Sequence, residues 1–172
     1  MIEIYDNIIP YSLIEEAETY FLRYSWDLLI DNIRDNTNAS FGKVFESEDF
    51  EPLALKFLNY IDGSYKKCIY NFFRHGDSPK LHVDSNGDEG ITILIYLNTH
   101  WDINWGGETI FANNGNIIRS INPVPGRIIK FQSNILHSAR PPVSSCPAPG
   151  RFSLVFQSHP YEIPSLKDIL SI

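Results

Sequence analysis

The chain has 172 residues, 43% hydrophobic and 13% aromatic, enough to bury one sizeable core but not two large ones. Its 14 basic and 21 acidic residues give a net charge of -7 and are spread along the sequence, so no basic patch points to nucleic acid or to an anionic membrane surface. Met1-Ile2-Glu3-Ile4-Tyr5-Asp6 has neither a basic start nor an apolar signal core, and no run is long enough to span a bilayer, so a cytoplasmic, non-membrane protein is expected.

Residues 1 to 64 read as a helical support and residues 65 to 160 as a β core, together one domain over 1–172. Ser12-Leu13-Ile14-Glu15 has the pattern of a capping box, and Leu13, Ala17, Tyr20, Phe21 and Tyr24 follow at helical spacing, predicting a helix over 12–24. Residues 32–46 are rich in Asn, Asp and Ser. A second helix over 48–61 is predicted from Ser47, the acidic residues after it, Pro52, and Leu55, Leu58 and Ile61, with Asp62-Gly63 ending it.

From Lys66 the pattern becomes short strands divided by turns, at 66–74, 80–84, 91–98, 107–112, 117–121, 127–132, 135–139 and 151–158. Eight such strands suit a sandwich or jelly roll, with the helices covering the outer face of its main sheet. Residues 141–149 form a Pro/Ser-rich loop. Cys68 and Cys146 are too few for a disulfide framework and lack metal spacing, so both read as free thiols.

The chemistry-bearing pattern is His82-Val83-Asp84, followed 53 residues after Asp84 by His137 and then by Arg151-Phe152-Ser153. Alternate residues of an extended chain point the same way, so His82 and Asp84 can reach one ion from one strand end, with His137 arriving from a distant strand. Two imidazoles and a carboxylate can hold divalent iron on one face and leave three positions open.

In that context the chain resembles the 2-oxoglutarate and Fe(II)-dependent dioxygenases, and within them the prolyl-4-hydroxylase-like branch. Leu81-His82-Val83-Asp84, Ile95-Tyr96-Leu97-Asn98, Trp105-Gly106-Gly107-Glu108-Thr109, Pro125-Gly126-Arg127 and Asn134-Ile135-Leu136-His137-Ser138-Ala139 occur in the family's order. The resemblance implies a mainly β, cupin-like double-stranded β-helix with Fe(II) on His82, Asp84 and His137 at its open end. It implies 2-oxoglutarate as cosubstrate, O2, and ascorbate as a candidate addition. It also implies that Arg151 binds the distal carboxylate of 2-oxoglutarate, although the interval from His137 is fourteen residues where many prolyl hydroxylases have about ten; the 141–150 loop accommodates the extra length. The expected reaction is hydroxylation of an unactivated C–H bond, on a prolyl residue or a free amino acid, with release of succinate and CO2.

Strand periodicity assigns faces. Ile91, Ile93, Ile95 and Leu97 should lie beneath the helices, leaving Thr92, Leu94, Tyr96 and Asn98 inside. Tyr96 would then offer its hydroxyl to the far end of 2-oxoglutarate. Arg151, Ser153 and Val155 share a face, so Ser153 can add a hydrogen bond to a carboxylate held by the Arg151 fork. Thr109 is expected to line the site. Aligning Gly76 with the family puts Phe73 where a Tyr is common, leaving Tyr70 as either a cosubstrate or substrate contact or a core residue. Trp101, Trp105, Arg119 and Arg140 are weaker candidates for the pocket mouth, and Gly106-Gly107 reads either as a close backbone approach or as a plain turn. His75, His100 and His159 read as structural or solvated. A metal-binding jelly roll without oxygenase activity, or a non-catalytic binding module, would use the same fold differently. The prime substrate, small-molecule or peptidyl, and the oligomeric state are not legible.

Overall fold

The computed structural model describes residues 1–30, 39–77, 79–87 and 90–158; His159, named above, lies outside them. Strands β1 (Ile2–Tyr5), β2 (Asp27–Ile30), β3 (Ala39–Glu46), β4 (Lys67–Phe73), β5 (Ile91–Tyr96), β6 (Thr109–Asn113), β7 (Asn116–Ile121), β8 (Ile128–Gln132), β9 (His137–Ala139) and β10 (Arg151–Gln157) form two antiparallel sheets. The larger runs β1-β8-β5-β10-β4-β3-β2 and the smaller β7-β6-β9.

Two helices cover one face of the large sheet: α1 (Tyr11–Leu22) and α2 (Pro52–Phe57). Leu13, Ile14, Ala17 and Phe21 of α1 and Leu53, Ala54 and Phe57 of α2 pack on Ile93, Ile95 and Leu97 and on Phe152, Leu154 and Phe156. The opposite face contributes Leu94, Tyr96, Ile129, Phe131 and Val155 to a second cluster, closed from the small sheet by Phe111 and Ile121. The period-two reading of β5 and β10 therefore holds for residues 91–97 and 151–156, with bulky apolar residues under the helices and the mixed face between the sheets. Asn98, expected inside, lies past the end of β5 and turns to Gly150, Phe152 and Glu18 of α1.

The N-terminal region is less helical than its sequence suggested. β1, β2 and β3 all fall within 1–64 and extend the sheet at both edges. In β3 the Asn/Asp/Ser richness of the preceding residues masks a period-two signal in Phe41, Lys43 and Phe45; Phe41 packs on Phe72, and Phe45 on Tyr70. Ser12 does not cap α1. The helix starts one residue earlier on Pro10, whose carbonyl accepts from the Leu13 and Ile14 amides. It ends at Leu22, and Tyr24 leaves the axis to pack on Trp26.

The second predicted helix is broken at Pro52. Ser47–Asp49 form a 3-10 turn, Glu51 is extended because the residue before a proline is pushed out of the helical region, α2 then runs six residues, and Leu58–Tyr60 tighten into another 3-10 turn. The predicted strand at 80–84 is reduced to an isolated bridge between His82 and His137, and the one at 135–139 starts only at His137.

Candidate active site

That bridge builds the centre of the site. His82 N donates to the His137 carbonyl and His137 N to the His82 carbonyl, both at 2.9 Å, which sets the two imidazoles side by side with ring centroids 4.5 Å apart. Two residues on, Asp84 N donates to the Ser133 carbonyl at 2.8 Å, tying the end of the His82–Asp84 segment to the turn after β8. Ligand atoms of His82, Asp84 and His137 all lie within 4.8 Å of one another. His82 Nε2 is 3.6 Å from Asp84 Oδ1, and His137 Nε2 is 3.7 Å from Asp84 Oδ2.

The tautomers follow from the opposite edge of each ring. His82 Nδ1 faces the Lys80 carbonyl at 3.0 Å and His137 Nδ1 the Ile135 carbonyl at 2.9 Å. A carbonyl oxygen only accepts, so each Nδ1 carries the proton and each Nε2 is left as the atom able to ligate a metal, the orientation that metal-bound histidines require. His137 is wedged against Phe131 and Phe111, at 4.7 and 6.0 Å between centroids, and is almost closed off, whereas His82 is half exposed.

Burial alone would raise the Asp84 carboxyl, but the His82 ring, the charge on His137 and the Thr92 hydroxyl outweigh it and hold it at about 2. Burial pushes His137 below its ordinary value, against a partial opposing pull from Asp84. A carboxyl that ionises readily beside a buried His137 that resists protonation suits a divalent metal.

Two residues without an assigned role in the sequence reading complete this end. Thr92 Oγ1 donates to Asp84 Oδ2 at 2.6 Å and lies 2.9 Å from Ser133 Oγ, with both hydroxyls buried.

Farther along β5 and β10, beyond Leu94 and Val155, lies Arg151. It is fully buried, with its guanidinium 5.0 Å from the ring centroids of both Phe73 and Tyr96. Nη2 donates to Ser153 Oγ at 3.3 Å, while Nε and Nη1 have no hydrogen-bond partner among the described residues. Burial lowers its pKa, and Tyr96 and Glu108 oppose that shift. A fork of donors in an apolar pocket with two nitrogens unpaired fits one end of a dicarboxylate.

Tyr96 Oη is hydrogen-bonded to Thr109 Oγ1 at 2.7 Å and to the Ile121 carbonyl at 3.1 Å, so Tyr96 and Thr109 both stand at this end and the phenol is already engaged across the two sheets.

Tyr70 requires a correction. Arg151 pairs with Phe73, Ser153 with Asn71 and Val155 with Ile69, so Tyr70 points the other way, into the helix-side core against Phe21, Tyr24 and Phe45. The residue on the site's face is Asn71, half-buried beside Ser153. Period-two counting back from Arg151 through the register finds it; the motif alignment did not.

The mouth candidates are mostly engaged elsewhere. Arg119 Nη1 donates to the Ile2 carbonyl, and Trp101 Nε1 donates to the Gly106 carbonyl with its ring over Gly107. A Cβ on Gly107 would meet that ring at 2.8 Å, and its φ is +81°, so packing and conformation both account for the glycine. Trp105 packs edge-on to His100, and Arg140 is exposed.

The family model described as the 2OG-Fe(II) oxygenase superfamily matches residues 63–157, more than half of the chain, and the chain belongs to that superfamily. No curated protein matches it by sequence. Among solved structures it is similar to a Pseudomonas putida prolyl-4-hydroxylase, with TM-score 0.66 and 16% identity over 92% of both chains. It is also similar to a prolyl hydroxylase from Trichoplax adhaerens, solved in complex with a hypoxia inducible factor oxygen degradation domain peptide fragment; there the TM-score is 0.65 and the identity 19%, over 99% of this chain and 87% of that one. A 2OG-Fe(II) oxygenase family oxidoreductase from Burkholderia pseudomallei gives 0.66 and 18%, over 91% and 84%.

The fold is thus the expected double-stranded β-helix, and the protein is a 2-oxoglutarate-dependent dioxygenase using Fe(II), 2-oxoglutarate and O2. Among the described residues no helix is long and apolar enough to cross a membrane.

Proposed function

We propose that His82 Nε2, His137 Nε2 and an Asp84 oxygen bind Fe(II), that Arg151 with Ser153 receives the far carboxylate of 2-oxoglutarate, and that the enzyme hydroxylates a prolyl residue or a free amino acid. The observation that carries this reading is Arg151. A fully buried guanidinium with two unpartnered nitrogens is costly unless a ligand supplies the counter-charge.

O2 is the oxidant: bound Fe(II) would activate it, 2-oxoglutarate would give up two electrons as it becomes succinate and CO2, and the substrate C–H bond would supply the other two. The protein's own residues orient and enclose. The Lys80 and Ile135 carbonyls aim the two imidazoles, and Thr92 fixes the Asp84 carboxylate. Three ligands gathered on one side leave the other side for cosubstrate and O2. Leu94, Val155 and Phe131 wall the space between the ligand cluster and Arg151 with apolar surface, which excludes water. Tyr96 and Thr109 close its far end, and through their mutual hydrogen bond they define its shape.

A prolyl target draws support from the solved relatives, one a prolyl-4-hydroxylase and one a prolyl hydroxylase carrying a peptide. The two unpaired thiols, Cys68 and Cys146, suit a reducing, cytoplasmic setting. We take residues 1–172 as one catalytic domain, with the helices and early strands bracing the β core.

The test is a substrate screen with Fe(II), 2-oxoglutarate and O2, using proline-containing peptides and free amino acids. The expected result is succinate formation matched by the gain of one oxygen atom in the product by mass, absent in Asp84→Ala. Unmodified peptides and amino acids, with protein that still binds 2-oxoglutarate, would reject the substrate class.

A further inference from the structure

Arg151 is the first residue of β10; on its β4 side it is held by the register pair with Phe73, but on its β5 side the ladder stops before it. The β5–β10 ladder has its last register pair at Ser153 and Tyr96, followed by one bond from Leu97 N to the Phe152 carbonyl at 3.1 Å. Beyond that point the Asn98 side chain replaces the backbone. Its Oδ1 accepts from Phe152 N at 2.8 Å, and its Nδ2 donates to the Gly150 carbonyl at 3.0 Å.

These two backbone groups belong to the peptide bonds on either side of the Arg151 Cα. One planar amide therefore holds both flanking peptide planes, and with them the φ and ψ that aim the Arg151 side chain. Asn98 is only 2% exposed, so water does not compete for these bonds. The chain is confined from the other side too: a Cβ on Gly150 would lie 2.4 Å from the Phe72 ring and 2.5 Å from the Phe73 carbonyl oxygen.

The clamp is held in turn from α1. Glu18 Oε1 lies 3.4 Å from Asn98 Nδ2, Glu18 Oε2 accepts from the Thr99 hydroxyl, and Tyr11 Oη donates to the Thr99 carbonyl at 3.2 Å.

We propose that Asn98 is a positioning residue for Arg151, setting the direction in which the guanidinium meets the 2-oxoglutarate carboxylate, and that Glu18 of α1 steers the Asn98 amide. This rests on the reading of Arg151 as the cosubstrate anchor. A residue of general structural importance would weaken every binding event when removed. A positioning residue weakens the one that passes through Arg151 and loses its effect once Arg151 is gone.

The experiment is a calorimetric titration of 2-oxoglutarate into anaerobic Fe(II)-loaded protein, with Fe(II) affinity measured separately. Asn98→Ala is expected to weaken 2-oxoglutarate binding about tenfold, as the loss of two buried hydrogen bonds implies, with Fe(II) affinity kept within about twofold. Asn98→Asp keeps the acceptor for Phe152 N but sets a buried carboxylate against the Gly150 carbonyl and Glu18, and should weaken 2-oxoglutarate binding at least as much as Asn98→Ala. Glu18→Gln, partly exposed on a helix and no threat to folding, should weaken 2-oxoglutarate by about two- to threefold through a single displaced contact.

On an Arg151→Ala background, Asn98→Ala should cause no further loss, since the two residues act as one unit. The proposal is overturned if Asn98→Ala and Glu18→Gln both bind 2-oxoglutarate as the wild type does. It is overturned equally if Asn98→Ala costs as much with Arg151 absent as with it present. Arg151→Ala binding 2-oxoglutarate normally would instead remove the anchor reading itself, and this proposal with it.

Discussion

Thr92 shows how a residue outside any motif shapes the candidate metal site. Its hydroxyl donates to Asp84 Oδ2, the carboxylate oxygen nearer His137 Nε2, and is itself paired with Ser133. Thr92→Val preserves shape and removes that donor. The expected outcome is a loss of Fe(II) affinity of about tenfold, in the range typical when a partner of a metal ligand is removed, with 2-oxoglutarate affinity of the metal-loaded protein little changed. A metal titration showing wild-type affinity would refute the role.

The candidate ligand cluster was legible because two of its residues sit at i and i+2 in an extended segment and the third ends a motif in fixed order. Thr92 carried the right face assignment without a role, because its contact with Asp84 depends on how the chain after β4 returns across β5, which spacing does not contain. Tyr70 was left open between site and core for a related reason. Its parity relative to Arg151 exists only through the β4–β10 register. Asn98 lay in a quoted segment, yet its grip on the peptide bonds around Arg151 depends on where β5 and β10 separate.

At the scale of elements, the edge strand β1 is secured by charge as well as by its ladder with β8. Asp6, just past β1, accepts from Arg127 Nε at 2.8 Å and Nη2 at 2.9 Å, a two-pronged pair immediately before β8. The Arg127 guanidinium also donates to the Asn122 carbonyl at 3.0 Å. The bond to Arg127 lowers the Asp6 pKa below its ordinary 3.8, against the opposing effect of partial burial.

A folded-state pKa below the unfolded one adds stability that is present above the unfolded value and is lost as pH falls through the folded one. Asp6 is 39% exposed, so solvent screening limits the pair to about 0.5–1 kcal/mol. Urea unfolding of Asp6→Asn should show that deficit near neutral pH and a smaller one at about pH 3, below the ordinary 3.8, where the unfolded carboxyl is already largely protonated and part of the linkage is lost. A deficit of equal size at both pH values would show that the charge on Asp6 is not its source. Elements with strong apolar alternation, β5, β8 and β10, were read within a residue or two. Those missed were short or polar: β1 and β2 have four residues each, β3 follows a polar run, and Pro52 divides a helix whose apolar spacing continues past it.

For the whole molecule, the two sheets give the site its polarity. The candidate ligand cluster lies where β9 and the His82–Asp84 segment meet, Arg151 lies at the start of β10, and apolar residues of both sheets flank the interval. The helices stand on the opposite face of the large sheet, where Glu18 reaches the Asn98 clamp at its edge. The sequence motifs defined this architecture because the ligands, the Tyr96 strand and the arginine strand occur in an order that a double-stranded β-helix brings together. They carried no information on the edge strands, which brace the sheet without touching the ligand cluster.

The central claim is that one site holds Fe(II) on His82, Asp84 and His137 and 2-oxoglutarate between that iron and Arg151. The most direct measurement is the visible spectrum of anaerobic protein on addition of Fe(II) and then 2-oxoglutarate. A weak metal-to-ligand charge-transfer band is expected that needs both additions, is absent in His82→Ala, and in Arg151→Ala requires a higher concentration of 2-oxoglutarate to appear. Fe(II) binding without such a band, or a band indifferent to His82, would contradict it.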